Sequence, residues 1–366
     1  DALKRVPRSW LDGDEEALPR YVEQEFRKYV KCGVLACGFA RARCKRCGAD
    51  ILVAFSCKRR GICPSCGARR MANTAAHLVD HVLPDVPLRQ WVLSVPFDLG
   101  LLVARNPRLL TAVLRLFVDV VSKRHRAKAA SSGLEGAKTG AISFVQRFGS
   151  ALNLHVHFHV LALDGVYAEG ESLSFRPSPP PSASDIQSLT IALLRRVRAL
   201  LKRRGLIGTN ALPSDSAGQQ AHLAEAPAFL ANVDDKGHVT LSPPQRKRRR
   251  EAESSAVETC GFSVDASVRI SAGDSASRER LCRYAARHPF AIERLSETTD
   301  GRIAYRMKKP RRGKRFIVLS PIAFLRRLAA LVPPPFYPLI RFHGVLAPNS
   351  KWRSRVVRVS TGPKSR

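Results

Sequence analysis

Three histidines alternate along residues 151–161, Ala-Leu-Asn-Leu-His-Val-His-Phe-His-Val-Leu. Strand side chains switch faces with a period of two. Val156, Phe158 and Val160 are therefore expected in a core, with His155, His157 and His159 on the opposite face. Two imidazoles two residues apart on a stiff strand, His157 and His159, can share one divalent ion without moving the backbone. Such an ion polarises a phosphate oxygen. A polarised phosphate then needs a nucleophile, and six tyrosines are available. Tyr21 and Tyr29 fall in an amphipathic N-terminal helix, Tyr167 just past the histidine strand, and Tyr305 and Tyr337 in a hairpin and a proline-rich loop. Tyr284 differs. It sits on a helix expected over Asp274–Arg287, with Leu281, Cys282, Ala285 and Ala286 toward a core. Arg280 at i−4 and Arg287 at i+3 share its face. Two guanidiniums and a nearby cation favour the phenolate of a group that ordinarily titrates at about 10. A purely packing role for this tyrosine stays open on these grounds.

The cysteines carry a second chemistry. Seven of the nine lie between Cys32 and Cys66. Cys44-Lys-Arg-Cys47 and Cys63-Pro-Ser-Cys66 are both C-x2-C, fifteen residues apart, the spacing of two knuckles folding onto one zinc ion. Four thiolates make a closed, structural site. Gly48 and Gly67, directly after the pairs, are expected in tight turns. Cys57, between the pairs, could serve as a substitute ligand, but its neighbours Phe55-Ser56 suggest a packed strand; Cys32 and Cys37 are expected as small core residues. Lys58, Arg59, Arg60, Arg69 and Arg70 around this site offer donors to DNA phosphates. His77 and His81, at i and i+4, lack the glutamate that a zinc protease carries after its first histidine. They are expected to be ordinary helix residues.

The elements that must position these groups follow from periodicity. Helices are expected over residues 15–31, 71–83, 107–126, from Ser184 or Asp185 to Gly205, from Asp274, and over 321–332. Strands are expected over 90–95, 140–148, 153–163, 262–270, 302–307 and 314–319, the second and third forming a hairpin. This mixture predicts an α+β fold with a mainly antiparallel sheet and flanking helices, preceded by a helical and zinc-ribbon domain. The expected divisions are a zinc-binding domain at 1–84 and a second domain whose first part is 85–205. A linker or irregular insertion follows at 206–256, the tyrosine-helix part of the second domain at 257–332, and a basic segment at 333–366.

The charge identifies the partner. The 366 residues carry 62 Lys+Arg against 30 Asp+Glu, a net +32 distributed along the whole chain. A chain so charged repels itself unless a polyanion neutralises it, and nucleic acid fits best. No apolar run approaches the ~20 residues of a membrane span, and no secretory signal opens the sequence. A soluble, cytoplasmic, nucleoid-associated protein with no membrane partner is the expectation.

One hydrophobic residue between two histidines is the HUH pattern of enzymes that nick single-stranded DNA with a tyrosine. Four stretches extend the likeness. Residues 38–47 through 55–71 resemble the N-terminal zinc domain of rolling-circle HUH transposases of the IS91/ISCR type. Residues 144–159 resemble their HUH strand pair, 280–289 their tyrosine helix, and 341–352 their closing segment. The resemblance implies that His157 and His159 bind a catalytic Mg2+ or Mn2+ and that Tyr284 bonds covalently to DNA. Some members have a second tyrosine four residues earlier, where this chain has Arg280, so a single-tyrosine reaction is implied. Gln146 is one candidate for a third metal ligand. The implied partners are single-stranded or unpaired element ends and a host helicase. A replication initiator or relaxase-like nickase with the same chemistry is the alternative, as is a non-catalytic zinc-ribbon DNA-binding protein.

Overall fold

Alternation along the histidine segment is realised as a long central strand. In the computed structural model, which describes residues 18–206, 229–233, 239–241, 257–259, 261–311 and 313–357, β5 (Leu154–Leu163) lies between β3 (Leu88–Ser94) and β4 (Gly140–Phe148). The sheet is completed by β10 (Val257–Thr259), β11 (Phe262–Asp265), β12 (Arg269–Ile270) and β16 (Ile340–Gly344). Its order is β10-β11-β3-β5-β4-β16, with β12 also on β3, and every pairing is antiparallel.

The period of two sorts this sheet into two apolar faces. Trp91, Leu93, Val156, Phe158 and Val160 pack beneath α3 (Phe97–Arg105), α4 (Pro107–Ala130) and α5 (Ala183–Arg203). Ile142, Phe144, Leu161 and Leu163 face the other way, against α2 (Pro64–His81) and α6 (Ser275–Ala285). The short α8 (Arg353–Val356) adds Val356 to this second core. Helix starts follow local chemistry. Asn106 caps α4 ahead of Pro107, Ser182 and Asp185 form a capping box on α5, and Asp274 caps α6.

A second sheet, in the order β13-β14-β15-β8-β9, is built from β13 (Leu295–Glu297), β14 (Ile303–Arg311), β15 (Lys314–Leu319), β8 (Phe229–Val233) and β9 (Val239–Leu241). Its apolar residues Ile303, Ile317 and Leu319 share a core with Phe324 of α7 (Pro321–Leu331) and Val22 of α1 (Arg20–Val30). Two hairpins stand apart: β1–β2 (Phe39–Arg43, Asp50–Ala54), largely exposed, and β6–β7 (Gly165–Glu169, Leu173–Pro177).

A buried charge hub fixes the sheet where β3, β5 and β12 meet. Asp164, 1% exposed, accepts two bonds from Arg89 (2.9 and 3.0 Å) and one from Arg269 (2.9 Å). Among the described residues no helix is long and apolar enough to cross a membrane.

The observed architecture is the expected mixture of helices and antiparallel sheet, with local differences. Helix α2 starts at Pro64, seven residues early, because proline at the first helical position nucleates it within the cysteine pair. The strand expected over 262–270 is two strands, and α3 lay hidden before Asn106-Pro107. Within the expected linker, the described residues 229–233 and 239–241 are strands that extend the second sheet. The basic run Arg246–Arg250 lies outside the described residues.

Candidate active site and zinc centre

On β5, His157 pairs across to Gln146 of β4, and His159 to Val92 of β3. The two imidazoles lie on the α2/α6 face with ring centroids 5.0 Å apart, both buried. Burial, reinforced by neighbouring positive groups, holds His157 down to about 4 and His159 to about 3, so both are neutral near pH 7. A neutral imidazole carries one proton. Each ring nitrogen of His157 faces an oxygen, Nδ1 the carbonyl of His155 at 3.0 Å and Nε2 the side chain of Gln146; with the proton on Nδ1, Nε2 keeps its lone pair. That lone pair points at Gln146 Oε1, 3.1 Å away.

The orientation of Gln146 is fixed independently. Its Nε2 donates to the carbonyls of Tyr284 (3.0 Å) and Ala285 (2.8 Å), and its Oε1 accepts from Arg287 Nε (3.2 Å). Two buried acceptors therefore face one another, which is unfavourable unless a cation sits between them. His159 adds a third sign. Its Nε2 is buried with no hydrogen-bond partner, while Nδ1 lies 2.6 Å from the Gln90 amide. With the amide oxygen of Gln90 turned toward Nδ1–H, a choice of orientation that the amide allows, His159 Nε2 is also left as an acceptor. The donor set fits a divalent ion held by His157, His159 and Gln146.

Helix α6 delivers Tyr284 to the same place. Leu281, Cys282 and Ala285 bury one side of α6, leaving Tyr284 38% exposed with its ring edge-on to His159 at 5.5 Å. Arg287 lies over the tyrosine ring at 4.6 Å and Lys308, from β14, at 4.8 Å. A cavity of about 90 Å³ runs alongside, bordered by Arg60, Arg70, Gln146, Arg147, Arg287 and His288.

The cysteines converge differently from their spacing. Cys32, after α1, meets Cys57, after β2, and Cys63 and Cys66 at the start of α2, with all four sulfurs within 4.8 Å. Recorded separations are 3.7 Å (Cys32–Cys66), 3.5 Å (Cys57–Cys66) and 3.6 Å (Cys32–Cys63). Zn–S bonds of about 2.3 Å in a tetrahedron need sulfurs about 3.8 Å apart. The set fits structural zinc. Burial pushes the Cys57 thiol up to about 11 and raises Cys63 further. Hydrogen bonds from Cys57 and the Lys58 amide outweigh burial at Cys66 and hold it low.

The pairing Cys44/Cys47 with Cys63/Cys66 is thus corrected. Cys44 and Cys47 sit exposed at the tip of the β1–β2 hairpin, where the amides of Cys47 and Arg46 lower the Cys44 thiol. Gly48 does occupy a left-handed turn (φ 72°). Gly67 instead lies within α2, where a Cβ would come within 2.3 Å of His288.

Residues 140–353 match the family model described as "Putative transposase", and residues 3–95 match one described as "Transposase zinc-binding domain". The chain belongs to this transposase family. It is also 24% identical over 330 residues to a "Transposase for insertion sequence element IS801" from Pseudomonas savastanoi pv. phaseolicola. The alignment covers 87% of this chain and 66% of that relative, so the chain spans just under two thirds of the relative's length. No solved structure matches.

Within this family member the expected DNA-binding residues part ways. Arg287 is at the tyrosine. Arg280, one turn earlier on α6, donates to Ser277 Oγ at 2.7 Å. Arg60 donates to the carbonyls of Tyr337 and Pro334, tying the zinc module to the C-terminal segment. Arg59 approaches Glu25 (4.0 Å), Arg70 donates to the Lys58 carbonyl, and Lys58 and Arg69 are exposed. Gln90 and Lys308 reach the site without being expected there. Their only signal is sheet adjacency, which one sequence does not display.

Proposed function

We infer that this family member is an HUH-type single-strand endonuclease and strand transferase acting in rolling-circle transposition. The observation that carries the reading is the gathering of His157 Nε2, Gln146 Oε1 and the His159 ring beside the Tyr284 ring. His157, His159 and Gln146 would hold Mg2+ or Mn2+, which when bound supplies Lewis-acid polarisation of a scissile phosphate oxygen.

Tyr284 is the nucleophile. Its phenolic oxygen attacks phosphorus in line, a tyrosyl P–O bond forms, and the bond from phosphorus to the 3′ oxygen breaks. The departing oxygen takes up a proton and the phenolic proton is released to solvent. A 5′-phosphotyrosine and a free 3′-hydroxyl result. Attack by another strand's 3′-hydroxyl reverses the exchange and rejoins DNA. One phosphodiester replaces another, so no nucleotide is consumed, in keeping with a sequence that has no G-x-x-x-x-G-K-[ST] stretch. Arg287 and Lys308 over the ring offset phosphate charge. The exposure of Tyr284 leaves it open to an unpaired strand, which a host helicase would supply. Lys58, Arg59, Arg69 and Arg70 flank the approach from the zinc module. Zinc on Cys32, Cys57, Cys63 and Cys66 has no open position and serves structure.

Incubating the protein with a labelled single-stranded element end and Mn2+ is expected to yield a covalent adduct stable in detergent. Tyr284→Phe is expected to abolish the adduct while retaining oligonucleotide binding. An adduct formed by Tyr284→Phe would sink the assignment.

A further inference from the structure

On the opposite side of the central sheet from His157 and His159, α4 and α5 frame a cavity of about 470 Å³. Arg108, Thr111 and Arg115 line it from α4, and Leu200, Arg203 and Arg204 from the end of α5. Arg108 and Arg115 are seven residues apart, two turns along one helix face, and so about 10 Å apart in rise. All four arginines are exposed, and among the described residues none of them is in an ion pair. The contrast with their neighbours is informative. Arg124 and Arg196 on the same two helices do pair, with Asp185 (3.0 Å) and Asp119 (2.6 Å). These four cations lie together at one end of the α4–α5 layer. Arg341 of β16 borders them, donating to Thr111 Oγ1 at 3.0 Å.

We propose that this arginine groove holds the sugar-phosphate backbone of duplex DNA, at a site separate from the nuclease face. Four unpaired guanidiniums call for a polyanion. The remaining lining is Ala112, Leu116, Leu200 and Thr111, with no aromatic ring among the lining residues. Single strands are gripped by stacking bases on aromatic side chains, whereas a duplex hides its bases and offers only phosphates to such a wall. The groove therefore selects duplex backbone. A strand transferase with the two faces divided in this way holds double-stranded DNA on its helical layer while the unpaired strand reaches Tyr284. The groove itself does not depend on the tyrosine chemistry.

The test measures binding by fluorescence anisotropy with two probes, a labelled 20-base-pair duplex of arbitrary sequence and a labelled oligo-dT of 20 nucleotides. The variants are Arg108→Glu/Arg115→Glu and, from the other helix, Arg203→Glu/Arg204→Glu. Each pair is expected to weaken duplex binding at least fivefold. Each should also lower the slope of log K against log salt by about two, roughly 0.9 per lost phosphate contact. Oligo-dT binding is expected to change less than either. Arg108→Lys/Arg115→Lys, which keeps the charge, should retain most duplex affinity, and thermal unfolding of every variant verifies the fold. A duplex loss under fivefold in either charge-reversed pair, or an equal loss on oligo-dT, overturns the proposal. Neither result bears on the Tyr284 adduct.

Discussion

Replacing Cys57 by serine, beside the double substitution Cys44→Ser/Cys47→Ser, separates the sulfur set of the folded chain from the set that spacing suggests. Cys57 Sγ is 3.5 Å from Cys66 and belongs to the four sulfurs within 4.8 Å. Cys44 and Cys47 lie outside that cluster. Structural zinc sites contribute about 10–16 kcal/mol of apparent binding free energy, so one thiolate in four accounts for about 2.5–4 kcal/mol, or about 10²–10³-fold in affinity. Competition with a chromophoric chelator measures this directly as the chelator concentration that removes the tightest zinc equivalent. Cys57→Ser and Cys32→Ser are expected to shift that midpoint by two to three decades, and Cys44→Ser/Cys47→Ser by less than threefold. Equal shifts for the Cys57 and Cys44/Cys47 variants would refute the convergence argued from the sulfur separations.

Gln90→Leu removes the amide beside His159 Nδ1 and is expected to weaken Mn2+ binding, read by electron paramagnetic resonance, by about 10–100-fold. Gln90→Glu, which keeps the acceptor, should restore it. Asp164→Asn leaves the buried Arg89 guanidinium without its carboxylate and is expected to cost about 3–5 kcal/mol in urea unfolding; a loss under 1 kcal/mol contradicts the hub. Burial holds His125 down to about 4, so its contribution is complete above the unfolded value near 6.5 and fades as pH falls toward 4. At pH 5 the loss is about 2 kcal/mol relative to pH 7, and His125→Asn is expected to shrink the measured difference by that amount.

What was legible in the sequence was local. The period of two in residues 154–163 needs only neighbouring residues to declare which face each histidine takes, and the helix carrying Tyr284 announces itself by its Asp274 cap and its buried Leu281, Cys282 and Ala285. Gln146 was within reach because it lies on the partner strand of a short hairpin. The cysteine partners were not. Seven thiols at short spacings admit several foursomes, and the choice is made by where α1 ends and β2 exits, both tertiary facts. Gly67 illustrates the same limit: after a C-x2-C pair it looks like a turn residue, yet it is a helix glycine whose small size admits His288. Gln90 and Lys308 come from β3 and from the second sheet, and no spacing along the chain connects either with His159 or Tyr284.

Under the proposed function these contacts would give the zinc module a physical role in nicking even though its sulfurs make a closed set. Cys63 caps α2 and Cys66 lies in its first turn, so the cluster fixes the start of a helix whose Ala75 and Leu78 enter the core that α6 shares. The close fit of Gly67 against His288 holds the chain just beyond α6 from that side. From the sheet side, the Gln146 amide holds the carbonyls of Tyr284 and Ala285. If Tyr284 is to meet phosphorus in line as proposed, a misplacement of about 1 Å can cost about 10²-fold, so the α6 backbone has to be held from both sides. Gln146 is shared between the two tasks. The amide that holds the end of α6 also presents its oxygen to His157, so a shift of α6 would disturb the proposed metal ligands and the proposed nucleophile together.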